Sequence, residues 1–340
     1  MDEFELNLKT INYLHLFIEN TMSSHKSTNI DVCFYHRGCP DGIAAAWVIK
    51  RAHPDVTLSG LDAGAHPSGK INLKDKVVAF VDLCPNNKTK LLEVITQSKE
   101  TWIIDHHKTS FETLEEIKTE GVGDKLKIVF DLARSGCQLA WDVTFSGEIR
   151  PQFIDYIGDR DLWVWKLEYS KEINTALNEG NSGKGYLTQE GLDELLVNWN
   201  KPGFLTNLIE EGANIITKQN EVIEVAVNSA RIALFKDKYK VWLTTVDKSL
   251  CSNTGSVLAN KLFSDGTKPA FAAIYLISDE NGKDKIKTTK ISMRGPDHPT
   301  EDTPCLATLA KENGGGGHKA AASFILLPDK NIDDYFTFFG

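Results

Sequence analysis

A chain of 340 residues exceeds what one hydrophobic core usually serves, so two domains are expected. With 41% hydrophobic and 25% charged residues it has the balance of a soluble globular protein, and no apolar run approaches the ~18–20 residues a membrane span needs. A net charge of −9 weighs against coating long nucleic acid, and six scattered cysteines without a CxxC pair form no disulfide framework, which points to a reducing, cytoplasmic setting.

The apolar patch Tyr13–Ile18 is interrupted by Glu19 and preceded by Asp2, Glu3 and Glu5, which is unlike a secretory signal. An amphipathic helix is expected there, as an N-terminal extension over residues 1–27. Residues 31–36 then read as a short strand, Arg37–Gly42 as a tight loop, and the Ala-rich run Ile43–Arg51 as a helix, which places Asp41 at a helix N-terminus. There it could cap the helix or take part in a site.

Val77–Val81 is a continuous apolar run ending at Asp82, the pattern of a strand buried on both faces. A helix over roughly 86–99 and the strand Thr101–Ile104 follow, the strand running into Asp105-His106-His107. Lys127–Phe130 repeats the pattern and ends at Asp131, with Arg134 close behind and a helix through Trp141. Four strands in β-α alternation thus end in polar tips, which marks a parallel sheet with its chemistry along one edge. Asp159 and Asp161 add a fifth acidic site after an amphipathic helix, ahead of Trp163 and Trp165. Glycine-rich loops are expected over 180–185 and a helix around Gly191–Trp199.

From Gly203 to Phe235 the chain reads as strongly helical, without proline, and suits a connector between domains. Tyr239–Val246 reads as a strand, Ser256–Phe263 as a helix, and Pro269–Tyr275 as a strand. A turn at Asp279–Gly282 leads into the partner strand Lys287–Arg294. The run Gly314-Gly315-Gly316-Gly317-His318 can bring backbone N–H groups close to phosphate oxygens, and it opens a small-residue, helix-like stretch.

The expected fold class is α/β. A mainly parallel-sheet domain with flanking helices spans about 28–200, a helical connector 201–237, and a smaller α+β domain 238–340. Aspartates and histidines at strand ends make a set of oxygen and imidazole donors suited to Mn²⁺ or Mg²⁺, with Co²⁺ or Zn²⁺ as further options. Two such ions about 3.5–4 Å apart activate water and neutralise a phosphoryl group, so hydrolysis of a phosphoester or phosphoanhydride is the reaction class implied. Asp82, from a central strand, is the natural bridging carboxylate.

Asp105-His106-His107, with Asp41-Gly42 upstream, Asp82 between them, Gly158-Asp159 downstream and the terminal Gly-Gly-Gly-His-x-x-Ala-Ala run, resembles the DHH phosphoesterase family. More narrowly, it resembles the branch with a C-terminal DHH-associated domain, over residues 30–340. That resemblance implies that Asp82 bridges two metals and that Asp41, His106 and Asp159 complete the second site. It implies that His107 faces the scissile phosphate, with Asp105 a ligand or an orienting carboxylate. Arg294 and the glycine loop Gly315, Gly316, Gly317 and His318 would hold the substrate, with Arg134 a further contact.

The chain departs from the family at its first motif, His-x-Asp-x-Asp-Gly. Arg37 stands where the histidine is expected and Cys39 where the first aspartate is expected. Either His36 and Cys39 serve as ligands there, or the first site is weak or empty and Arg37 supplies the positive charge. Ser323 replaces a terminal glycine. The expected activity is metal-dependent hydrolysis of short oligonucleotides or dinucleotides to mononucleotides, in a cleft between the domains. Phosphomonoesterase or cyclic-dinucleotide phosphodiesterase activity, or nucleotide binding without catalysis, are the alternatives. The expected partners are short single-stranded nucleic acid or nucleotides and no membrane, and a homodimer is compatible with this reading.

Overall fold

The computed structural model describes residues 29–67, 69, 71–279, 287–300, 303–327 and 329–339. The helix expected over 1–27, and almost all of the turn expected at Asp279–Gly282, lie outside them. The chain divides into two compact units, Met1–Ile215 and Ile216–Gly340.

The first unit is built on β1 (Val32–His36), β2 (Thr57–Leu61), β3 (Val77–Val81), β4 (Glu100–Asp105) and β5 (Leu126–Phe130). They form one five-stranded sheet in the order β2-β1-β3-β4-β5, parallel throughout. The chain leaves β1 toward one edge to form β2, then crosses β1 to form β3, β4 and β5. Neighbouring β1 and β3 therefore flank the point where the winding reverses. Parallel sheets open a crevice there, beyond the carboxyl ends of the strands.

Successive β3 residues point to opposite faces, and both faces are covered. Ala79 and Val81 join a core with Trp47, Leu139, Trp141, Phe153 and Leu177, while Val78 and Phe80 join one with Leu91, Ile95, Leu114 and Ile117. The covering helices are α1 (Pro40–Ala52), α2 (Lys88–Gln97), α3 (Lys108–Lys118), α4 (Gly136–Thr144), α5 (Gln152–Asp161), α6 (Ser170–Gly183) and α7 (Gln189–Asn198). Helix α6 occupies part of the stretch expected as loops, because Ile173, Ala176 and Leu177 bury one face of it. The sequence reading places no strand at β2, which lies at the sheet's edge with no fully buried residue.

Helix α8 (Phe204–Asn228) carries the boundary between the units. It ends before the expected Phe235, since Arg231–Phe235 is strand β6. The second unit continues with β7 (Tyr239–Thr244), α9 (Cys251–Asn260), β8 (Ala272–Asp279), β9 (Lys287–Arg294), α10 (Leu306–Lys311), β10 (Gly316–His318), β11 (Ala321–Ile325) and β12 (Phe336–Phe338). Its seven-stranded sheet has the order β10-β11-β9-β8-β7-β6-β12. β7 and β8 are parallel, and α9 supplies the crossover that such a pair requires. The small residues after the glycine run form strand β11 instead of a helix, paired with β10 on one side and β9 on the other. No helix among the described residues is long and apolar enough to cross a membrane.

One glycine ties the sheet to the crevice. A Cβ at Gly42 would stand 2.3 Å from the His36 carbonyl oxygen, so α1 can pass the end of β1 only without a side chain there. Gly42→Ala is expected to destabilise the protein by about 1–3 kcal/mol through overpacking. Urea denaturation checks this, and an unchanged midpoint would contradict the close approach of α1 to β1.

Candidate metal centre

Strand ends deliver most of the polar groups to the crevice. His36 closes β1, Asp82 follows β3, and Asp105 closes β4 with His106 and His107 directly after it. Asp41 lies in the first turn of α1 and Asp161 ends α5. Three overlapping groups have ligand atoms within 4.8 Å of one another: Asp82, Asp105, His106 and His107; His36, Cys39 and Asp82; and Asp41, His106 and Asp161.

Asp82 stands in two of these groups and is 1% exposed. Its backbone takes the left-handed conformation at φ 54°, which aspartate tolerates better than most residues. Oδ1 lies 3.2 Å from His106 Nε2. Oδ2 is buried without a hydrogen bond, 3.4 Å from His36 Nδ1. Burial opposes ionisation of Asp82, but contacts with His106 and His36 outweigh it and hold the carboxyl below its usual range.

Asp41 is fully buried and is satisfied by another helix. Its Oδ2 accepts from Gly136 N at 2.6 Å and its Oδ1 from Cys137 N at 2.9 Å, the first amides of α4. Those N–H groups have no partner within their own helix, and the helix dipole favours a negative charge beside them. Gly136 is held between the two aspartates: a Cβ there would lie 2.6 Å from Asp82 Cβ and 2.9 Å from Asp41 Oδ2. Burial, then repulsion from Asp82 and Asp161, push the Asp41 carboxyl well up. Burial, then repulsion from Asp82, also raises Asp161.

Asp105 is fully buried and spends its oxygens on its own loop. Oδ1 accepts from His106 N at 2.7 Å, His107 N at 3.3 Å and His107 Nδ1 at 2.7 Å, while Oδ2 accepts from Ser110 Oγ. Of the two readings left open by the sequence, these bonds favour the orienting carboxylate. The 2.7 Å contact with Asp105 fixes the orientation of the His107 ring, and despite burial the Asp105 contacts raise the His107 pKa. His106 Nε2 faces Asp82, Asp161 at 3.3 Å and Asp41 at 3.7 Å. Burial alone would lower the His106 pKa, but these carboxylates raise it to about 10.

Several sequence expectations land elsewhere. Asp159 does not reach the cluster, because its carboxylate accepts from Lys166 N at 2.9 Å and Leu167 N at 3.3 Å. Asp161, two residues on and about 200° around the helix, takes the place expected of it. Arg37 is not in the crevice either. Its guanidinium makes a two-pronged pair with Asp62 at 2.7 and 2.5 Å on the exposed rim. Arg134 binds Asp131 at 2.9 Å and Asp142 at 2.8 Å, so its charge is committed within the fold. His36 and Cys39, by contrast, meet at Asp82. Cys39 Sγ also lies 4.0 Å from Asp161 Oδ1, and burial followed by the neighbouring aspartates pushes the thiol well up.

In the second unit, His318, Ala321, Arg294 and Ala272 form one cross-strand row. Among the described residues every Arg294 hydrogen bond goes to a neutral oxygen: Ser252 Oγ at 2.7 Å, Met293 O at 2.8 Å and Ser292 Oγ at 3.3 Å. Gly255 makes room for it, since a Cβ there would lie 2.7 Å from Arg294 Cγ. Gly315 and Gly317 pack too tightly against β11 for side chains, whereas a Cβ at Gly316 would meet nothing within 4 Å.

The donor set fits a divalent cation. Carboxylate and imidazole groups converge, and the buried Asp82 Oδ2 has no hydrogen bond to satisfy it. No family model matches the chain. An uncharacterized protein, R106, of Acanthamoeba polyphaga mimivirus is 25% identical to it, across 90% of this chain and 71% of that one. Among solved structures, RecJ of Thermus thermophilus in complex with Mn²⁺ is 14% identical, covering 93% of this chain and 52% of RecJ at a TM-score of 0.49. The pGpG-specific phosphodiesterase PggH of Vibrio cholerae is 11% identical, covering 90% and 95% at 0.43. The resemblance to the DHH phosphoesterases is carried by the chain's own motifs. Its Asp41-Gly42, Asp82 and Asp105-His106-His107 come together at one crevice.

Two outcomes are expected. Protonated His106 stabilises the metal-free fold fully below about pH 6.5, and that contribution is lost as pH rises toward about 10. The raised Asp41 and Asp161 carboxyls act in the same direction. Thermal unfolding of chelator-treated protein should therefore shift to lower temperature over that window, and added Mn²⁺ should offset the loss by about 5 °C or more. A flat profile, unchanged by Mn²⁺, would contradict the charge balance. Gly136→Ala should weaken Mn²⁺ binding at least ~10-fold, because Asp41 and Asp82 cannot both stay in place around a methyl group. Calorimetric titration checks it, and unaltered affinity would contradict the geometry.

Proposed function

We propose that this protein is a metal-dependent phosphodiesterase that hydrolyses short oligonucleotides or dinucleotides to mononucleotides. The observation that carries the reading is the Asp82 carboxylate, buried at the meeting of His36, Cys39 and His106 with one oxygen unsatisfied. Asp82 would be shared by two sets of donors: Asp41, His106 and Asp161 would hold a cation with it on one side, and His36 and Cys39 on the other. A divalent cation bound there would supply Lewis-acid polarisation of a phosphoryl oxygen and an acidified water.

The remaining roles belong to the protein. Asp105 fixes the His107 ring, which contacts the scissile phosphate. In the second unit, Arg294, whose hydrogen bonds among the described residues all go to neutral oxygens, would take an anionic group, and the glycine hairpin with His318 would let a backbone approach it. Mn²⁺ is the favoured ion. The Cys39 thiol extends the tolerance toward Co²⁺ and Zn²⁺ and suits a cytoplasmic, reducing setting. The pairing of Arg37 with Asp62 leaves His36 and Cys39 to the first site and counts against a protein that binds nucleotides without catalysis.

A panel of di- to decanucleotides, cyclic dinucleotides, phosphorylated nucleotides and pyrophosphate, incubated with Mn²⁺, tests the reading. The shortest linear substrates should turn over fastest. Activity confined to pyrophosphate or phosphomonoesters would replace it, and retained nucleotide binding without turnover would end it. His106→Ala should lower kcat/KM about a thousand-fold or more, the loss of several kcal/mol of charge stabilisation. Arg294→Ala should raise KM about 10- to 100-fold with a smaller effect on kcat. Cys39→Ser should weaken Co²⁺ and Zn²⁺ binding more than Mn²⁺ binding.

A further inference from the structure

The segment that follows Asp161 is unusual for a surface turn. Trp163 is 49% exposed and Tyr169 is 50% exposed, with Val164 and Leu167 also open to solvent. Turns of this kind ordinarily carry polar side chains. The backbone is also held in an unfavourable form, since Trp163, Trp165 and Tyr169 all lie in the left-handed region at φ 56°, 54° and 56°. Bulky residues persist there only where surrounding bonds enforce it, and such strain clusters at functional sites.

Those bonds centre on Asp159. Its carbonyl accepts from Val164 N at 2.9 Å and Trp165 N at 3.4 Å, and its carboxylate accepts from Lys166 N and Leu167 N. Arg160 O accepts from Trp163 N at 3.0 Å, and Glu168 O accepts from Tyr156 Oη at 3.0 Å. The Trp163 and Trp165 rings meet edge to face, with centroids 5.0 Å apart and planes at 76°. Lys171 Nζ lies 5.9 Å from the centroid of the Trp165 ring. An exposed indole is thus fixed by its backbone and by a second indole whose plane lies at 76° to its own. It begins two residues after Asp161, a member of the candidate metal centre.

We propose that residues 162–169 form a nucleobase-stacking platform, with Trp163 as the stacking face, Trp165 as its support and Asp159 as the residue that positions the turn. The ligand class is a nucleotide whose phosphate is held at the neighbouring cluster, and in that respect alone the proposal rests on the phosphodiesterase reading. A rigid aromatic face two residues along the chain from a charged centre favours a base over a bare sugar phosphate. Because every base has a π-face, stacking there does not demand one sequence.

The test compares adenosine 5′-monophosphate with ribose 5-phosphate on the full-length protein in Mn²⁺, by calorimetry and by quenching of tryptophan fluorescence. The nucleotide should bind about 10-fold or more tightly than the sugar phosphate. Trp163→Ala should bring the two affinities together by weakening nucleotide binding alone, and Trp163→Phe should keep most of the discrimination. Ribose 5-phosphate affinity reports whether each variant is still folded. Asp159→Asn should reduce the discrimination in part, with sugar phosphate binding unchanged. Equal affinity for the two ligands in the parent protein, or undiminished discrimination in Trp163→Ala, would overturn the platform. A Trp163→Ala variant that changes only self-association or protein binding would do the same. Discrimination that depends on Trp163 in a protein that cleaves no dinucleotide supports the platform and overturns only the catalytic reading.

Discussion

The rest of the site depends on one interaction, the buried Asp41 carboxylate accepting from the first two amides of α4. A carboxyl with no exposure needs hydrogen-bond donors, and a helix N-terminus supplies them through its orphan N–H groups, even though burial and the neighbouring acids push the Asp41 pKa well up. The bond fixes the start of α1 against the start of α4. It also brings Gly136 so close to Asp82 that no larger residue fits. Two acids far apart in the chain are thereby held against one glycine, at the crevice where the sheet reverses its winding.

Charge balance follows from that placement. Asp41, Asp82 and Asp161 crowd around His106, and without a cation the imidazole must carry the opposing charge, which is why its pKa climbs. Asp105 lies beside this crowd, within 4.8 Å of Asp82 and His106, but its hydrogen bonds go to its own loop. Its Oδ1 accepts from the two backbone amides and the ring that follow it. A cation would relieve the repulsion among the acids and compete with the proton on His106, linking metal affinity to pH.

The parallel sheet is legible because strands covered on both faces seldom carry charged residues between their ends, so Val77–Val81 and Thr101–Ile104 announce themselves as largely apolar runs with acids at their ends. Edge strand β2 carries no such demand, and its residues show no such run. The helical pattern runs on past the end of α8 because the alternation of Arg231–Phe235 is short and follows a long helix. The choice between Asp159 and Asp161 lay beyond the sequence, since both sit in the last turn of α5 and only the downstream backbone decides which is occupied. Arg37 looked like a replacement for a missing histidine, yet its partner Asp62 lies after a separate strand, and pairing across strands leaves no local pattern. The need for glycine at positions 42 and 136 is likewise a matter of close approach in space, visible only once α1, β1 and α4 are assembled.

The central claim is that Asp82 bridges a divalent-metal centre completed by Asp161. Anomalous diffraction from crystals of the protein soaked in Mn²⁺ tests it most directly. Anomalous peaks are expected within bonding distance of Asp82, with His106, Asp41 and Asp161 around one of them and Asp159 still on its backbone amides. Peaks at Asp159 and not at Asp161, or no peak at Asp82 at saturating Mn²⁺, would contradict it.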